Sequence, residues 1–200
     1  MKRLQISLLA LAAVALMAND AMGQTGGKFL IEGRAGYQVQ TGDINDYVKP
    51  GLVLGVSVGY GLGVKSSIWL GADWAALDGK DQTQGAQAFP NWKVGTLMGY
   101  FGYNLIAGMD EKPDLIGMIG VGASNWDVKE GNPNDPGFDS KTVFTIGALF
   151  KYTYWAGTKF AIVLNAPINF AFTDFKTSDG TELVNGTIYF PFSAGILFAL

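Results

Sequence analysis

Residues 160–173 read FAIVLNAPINFAFT. Phe160, Ile162, Leu164, Ala166, Ile168, Phe170 and Phe172 alternate with Ala161, Val163, Asn165, Pro167, Asn169, Ala171 and Thr173. A two-residue period with one bulky apolar face is the mark of a β-strand, whose successive side chains point to opposite sides. The same alternation runs through Ile188, Phe190, Phe192, Ala194, Ile196, Phe198 and Leu200, and through Phe144, Ile146, Ala148, Phe150, Tyr152 and Tyr154. It recurs over 29–40, 52–60 and 68–76. Two stretches are less regular. Over 92–105, Trp92, Val94, Thr96, Met98 and Tyr100 share one face, with Lys93, Gly95, Leu97 and Gly99 on the other. Over 115–126 both faces are apolar or Gly, so the phase stays open. Eight strands result, with no helical period after residue 23.

The connections alternate in length. Segments 41–50, 78–91, 127–141 and 174–185 are long and polar, whereas 61–65, 107–114 and 156–158 are short. Long loops at one rim and tight turns at the other fit an eight-stranded antiparallel up-and-down transmembrane β-barrel, with the long loops outside the cell. Eight strands enclose an interior only wide enough for side chains to fill. Rows of Phe, Ile and Leu from every strand would overfill it, so the bulky face is expected to point outward into lipid and the small polar face inward. An outward face this apolar needs lipid around it, and a closed barrel pairs every backbone group within itself. Aromatics fall in two belts: Tyr37, Trp74, Trp92, Trp126 and Phe172 near the long loops, and Tyr60, Tyr100, Tyr152, Tyr154 and Trp155 near the short turns. Such belts match interfacial girdles.

Composition narrows the function. Charged residues are 16%, aromatics 13%, and 28 of the 200 residues are Gly, a balance that argues against disorder, coiled coil and an ordinary cytosolic enzyme. The chain has neither Cys nor His, which excludes disulfides, thiolate zinc sites and the usual nucleophile–His pairs. Its formal net charge of −3 offers no basic surface for nucleic acid. No cofactor is expected. Asp43, Asn45 and Asp46 in the first long loop, and Asn132, Asn134, Asp135 and Asp139 in the third, could offer oxygen ligands to a cation. They are read as turn residues instead, so no metal site is assigned.

The N-terminus reads as an address. Lys2 and Arg3 precede an apolar run over 6–17, and Ala21-Met22-Gly23 supplies small residues at a cleavage site. Residues 1–23 are thus expected to be a secretory signal peptide and 24–200 the barrel domain. The run is short of the roughly 20 residues a spanning helix needs.

Two other segments have the outline of a motif without its substance. Residues 59–66, GYGLGVKS, have Val64 where a phosphate loop needs Gly before the Lys, and read as a strand end and hairpin turn. Residues 183–200 are uncharged, but Gly186, Pro191, Gly195 and strict alternation favour a strand over a membrane helix.

The last strand looks like the C-terminal signal read by the barrel-assembly machinery: Ser193, Gly195, then Phe198 and Leu200 at the third-last and last positions, with Leu where Phe or Trp is more usual. With the address and the eight strands, the chain resembles the small outer-membrane barrels of the OmpA transmembrane domain, OmpX and OmpW type. The resemblance implies a non-enzymatic, monomeric protein of the Gram-negative outer membrane, with a structural, adhesive or surface-interaction role. Its partners would be outer-membrane lipid, lipopolysaccharide and the assembly machinery, with no peptidoglycan-anchoring domain after the eighth strand. The alternative is a narrow, porin-like channel for small or apolar solutes, as suggested for OmpW-like barrels. A soluble barrel with its apolar face inward is the remaining reading.

Charges on the small-residue faces define the candidate site. Glu32, Arg34, Asp73, Lys93 and Lys151 are expected in the lumen, where an unpaired charge is costly. Glu32, Arg34 and Asp73 should form the heart of a polar plug. Asn165 and Asn169 should complete its hydrogen bonding, and Lys93 should sit near the outer rim.

Overall fold

The computed structural model describes residues 27–63, 65–80, 91–106, 113–128, 140–176 and 182–200; the signal-peptide segment 1–23 and the acids at 132–139 lie outside them. Eight strands follow one another: β1 (Phe29–Thr41), β2 (Gly51–Gly61), β3 (Ser66–Leu77), β4 (Trp92–Ile106), β5 (Asp114–Val128), β6 (Lys141–Trp155), β7 (Phe160–Lys176) and β8 (Glu182–Ala199). Each pairs antiparallel with its sequence neighbours, and β1 pairs with β8 to close an up-and-down barrel. The closing seam runs from Leu30↔Ala199 to Thr41↔Ile188. The strands hold 11 to 18 residues, enough for a tilted crossing of a bilayer core, which takes about 9–11. Gly59, Tyr60 and Gly61 end β2 and Ser66 opens β3, with the Leu62 amide donating to the Ser66 carbonyl at 2.9 Å.

The bulky face points outward as the alternation predicts on β1, β2, β3, β6, β7 and β8. Leu52, Leu54, Phe144, Phe150, Ile168 and Phe172 are among the exposed large hydrophobics. On β5 the open phase resolves with Ile119 and Val121 outward and Ile116, Met118, Ser124 and Trp126 buried.

β4 corrects the expectation. Trp92, Val94, Thr96, Met98 and Tyr100 face the lumen, and Lys93 is exposed on the outer wall. The phase is set by the continuation of the strand, where Phe101, Tyr103 and Leu105 are exposed. Two of the aromatic belts' members at each end also turn inward: Trp92 and Trp126 near the long loops, Tyr100 and Trp155 near the short turns. Tyr37, Trp74, Phe172, Tyr152 and Tyr154 remain outward.

One seam carries a defect written in the sequence. Pairing of β7 with β8 passes from Asn165↔Ser193 directly to Asn169↔Tyr189. Between them Pro167 stands across from Pro191, and neither has an N–H to donate. Both prolines keep their partners on the other side, Leu149 and Gln38. The lost bonds are therefore confined to the β7–β8 seam.

The first long loop folds back over the barrel mouth. Gly42, at φ 82°, takes a left-handed conformation that glycine adopts without penalty. A 3-10 turn, Asp43–Asp46, follows, a short helical element that the sequence reading did not foresee. It buries Ile44 and, just beyond, Val48. Val48 bridges to Gly79, and the Lys80 amide donates to the Tyr47 carbonyl at 2.9 Å.

Candidate functional site in the barrel lumen

β1 supplies the first charges. Its inward positions place Glu32 and Arg34 two residues apart on one face, as the strand period dictates. Arg34 donates from Nε to Asp73 Oδ1 and from Nη2 to Asp73 Oδ2, both at 2.9 Å, so the guanidinium grips the β3 carboxylate at two points. Such bidentate pairing is among the strongest side-chain contacts available. Its Nη1 reaches Glu32 Oε1 at 3.4 Å.

Glu32 collects the other half of the cluster. Its carboxylate pairs with the Lys151 ammonium from β6. It also accepts from Asn165 Nδ2 of β7 at 2.6 Å and from Ser57 Oγ of β2 at 3.2 Å. Lys151 Nζ lies 3.5 Å from the centre of the Trp69 ring, a cation–π contact. Two cations and two anions thus meet in one layer, and Glu32 and Lys151 are essentially without solvent exposure. Glycine makes the room: a Cβ on Gly55 would stand 2.0 Å from Asp73 Oδ1 and 2.7 Å from Arg34 Nε.

A second polar group fills the barrel beside this layer. The Tyr189 hydroxyl lies 2.7 Å from Ser124 Oγ and 3.1 Å from Thr96 Oγ1, and Ser124 meets Thr145 Oγ1 at 2.8 Å. Hydroxyls both donate and accept, so the four satisfy one another without charge.

Apolar clusters occupy the two ends. Toward the long loops, Trp92, Trp126, Phe175 and Tyr189 pack edge-to-face at 5.1–6.2 Å between ring centres, with Ile44, Val48 and Leu77 against them. Toward the short turns, Leu30, Trp69, Met98, Ile116, Met118, Trp155 and Leu197 form the other cluster. There the Trp155 indole donates to Asp114 Oδ2 at 2.7 Å, and the Trp69 indole to Ser67 Oγ at 2.9 Å.

The structure brings Glu32, Arg34, Asp73, Lys151 and Asn165 into one set of contacts. Lys93 stands apart on the outer wall: one residue's shift of phase along β4 carries its side chain through the barrel wall. Asn169 is luminal and buried, but its Oδ1 has no hydrogen-bond donor among the described residues. Sequence reasoning missed Ser57, Trp69 and the Tyr189 hydroxyl group. Ser57 and Trp69 lie on faces read as inward, and their polar atoms were the available signal. Tyr189 also lay on the inward face of β8. Ser193 and Gly195 lie on the inward face of β8 and Phe198 on its outward face, with Leu200 just past the strand.

No protein-family model matches the sequence, and no curated protein matches it. Solved structures do match its fold. The outer membrane protein OprG from Pseudomonas aeruginosa superposes with a TM-score of 0.60 at 17% identity, over 90% of this chain and 99% of that one. Neisserial surface protein A also gives 0.60, at 11% identity, covering 85% and 96%. A major outer membrane protein from Thermus thermophilus gives 0.55 at 14% identity, covering 86% and 98%. In its fold, this chain is similar over nearly its whole length to the small eight-stranded outer-membrane β-barrels.

Proposed function

We propose that the chain is an integral outer-membrane barrel, exported by residues 1–23, whose lumen is closed and whose work is structural or lies in contacts at the cell surface. The observation that carries this reading is the inversion of the two faces. Large hydrophobics such as Leu52, Phe144 and Ile119 stand outside, while the charges of Glu32 and Lys151 are buried inside. In water this arrangement would expose a wide apolar band; in a bilayer the band is solvated by lipid and the charges neutralise one another.

Closure is supported by what stands across the bore. The neutral four-charge layer and the hydroxyl group stand side by side between the two apolar end clusters, and a solute would have to pass all of these groups. The narrow-channel alternative needs a continuous path past these groups. Without His or Cys, a site of the common nucleophile–base kind has no members, and the reading is non-enzymatic. Ser193, Gly195, Phe198 and Leu200 would be the assembly machinery's contact, and lipopolysaccharide the main neighbour in the outer leaflet.

The refolded barrel in a planar bilayer tests closure. The reading predicts a quiet baseline, and discrete conductance steps would favour the channel. Folding into detergent or lipid with heat-modifiable gel mobility is the companion test; a monomer soluble without detergent would overturn the membrane reading itself.

A further inference from the structure

The outer wall carries charge in an unexpected place. At the long-loop end of β4 and β5, Lys93 and Asp127 face each other across the sheet, and both are exposed on the outside. Beside them Ser140 Oγ donates to Asp127 Oδ1 at 2.8 Å, and Asn125 Nδ2 donates to Thr142 Oγ1 at 2.8 Å. Lys93 has no ion-pair partner among the described residues. Five polar side chains thus gather on the outer wall immediately above the apolar band.

Directly below lies a hollow. An open depression of about 810 Å³ is lined on the same wall by Gly99, Phe101, Ile119, Val121, Ile146 and Ala148; it extends to Ile168, Phe170 and Ile188 of β7 and β8 and reaches Trp69 and Tyr100. Register connects the two: Asn125 is opposite Thr142, and Val121 is opposite both Gly99 and Ile146. Four residues of β5 separate Asn125 from Val121, roughly 13 Å at ~3.3 Å per residue. Between them stands Ala123, flanked by its register partners Leu97 and Phe144, whose exposed side chains form the two banks of the way down the wall.

We infer that this face of β4–β6 is a binding site for a phosphorylated glycolipid of the outer leaflet, with an acyl chain in the hollow and its head group on the polar cluster. The chemistry of the cluster selects the head group. The Lys93 ammonium is a compact charge suited to phosphate. Asp127 would repel a bare phosphate lipid, yet it accepts hydrogen bonds from sugar hydroxyls, as do the Asn125 amide and the Thr142 hydroxyl. A phosphosugar offers both groups at once. The vertical order, polar cluster toward the loops and hollow toward mid-wall, matches a lipid whose head lies at the cell surface. The inference rests on the membrane reading and on the long loops facing out.

Native mass spectrometry of the folded barrel, released from detergent carrying diphosphoryl lipid A, tests it. One retained lipid A per barrel is expected. Lys93→Gln should lower occupancy at a fixed lipid concentration about fivefold, the scale of one exposed charged contact. Asn125→Leu should lower it too, and Gly99→Leu, which fills the hollow, should abolish it. Dephosphorylated lipid A and phosphatidylethanolamine should both be retained far less. Equal retention by wild type and Lys93→Gln, or equal retention of phosphatidylethanolamine, would overturn the site. Should Gly99→Leu not fold, the surface variants Lys93→Gln and Asn125→Leu decide alone. A barrel that folds in detergent and holds no lipid A defeats this inference only; one that never enters detergent defeats the membrane reading beneath it.

Discussion

The middle of the lumen and its loop-side end fill the same barrel by different physics. In the middle, Arg34, Asp73, Glu32 and Lys151 are held by directional, charge-assisted contacts. At the loop-side end, Trp92, Trp126, Phe175 and Tyr189 are held by edge-to-face packing and burial, with Ile44 and Val48 pressed on them. The first kind of filling is unforgiving, because removing one partner strands another charge out of water. The second degrades by degrees, because a smaller apolar side chain loses contacts and leaves a cavity. A barrel built this way should be sensitive to single changes in its middle and tolerant at its end.

Arg34→Met is the sharpest way to break the contrast. It leaves Asp73 and Glu32 short of a cation and should destabilise the folded barrel by about 3–5 kcal/mol, read from urea unfolding in lipid. A loss under about 1 kcal/mol, the scale of a solvated pair, would mean the layer is wet. Phe170→Arg probes the wall instead. An Arg near mid-membrane should cost roughly 2–4 kcal/mol, and an unchanged unfolding midpoint would say that this face does not meet lipid. At the loop-side end, Ile44→Ala should cost about 2 kcal/mol, the low end for a buried Ile. No measurable cost would show that the first loop does not seat in the mouth. Tyr189→Phe should be the mildest, about 1 kcal/mol, because Ser124, Thr96 and Thr145 can still bond one another. A cost above that of Arg34→Met would make the hydroxyl group, and not the charged layer, the least forgiving part of the lumen.

The fold was legible because period-two alternation reports which way a strand faces, and on β7 the contrast between Phe170 or Phe172 and Asn169 or Thr173 leaves no doubt of phase. The heart of the luminal layer was legible for the same reason: charges on a small-residue face have nowhere else to go. What misled was bulk. The expectation of a small polar lumen put Lys93 inside, yet the lumen takes Trp69, Trp92, Trp126 and Trp155. Trp69 fits because a glycine on the inner wall yields the space it needs; a Cβ on Gly59 would stand 2.5 Å from its ring. Side-chain size on one strand therefore cannot set its phase, since the volume available depends on residues of the neighbouring strand. On β4 the decisive residues were Phe101, Tyr103 and Leu105, further along the same strand. The seating of Ile44 and Val48 in the mouth was out of reach, because it depends on a left-handed Gly42 and a bridge from Val48 to Gly79, not on any periodicity.

The tryptophans offer the most direct measurement of which face meets lipid. Of the five in the chain, Trp74 is 56% exposed on the outer wall, whereas Trp69, Trp92, Trp126 and Trp155 are each 5% exposed or less. In bilayers containing phospholipid brominated along its acyl chains, only Trp74 should be quenched on contact. Wild-type emission should be partly quenched, and the quenching should be almost wholly lost in Trp74→Phe. Quenching that persists undiminished in Trp74→Phe would place the other indoles in lipid and contradict the assignment of wall and lumen.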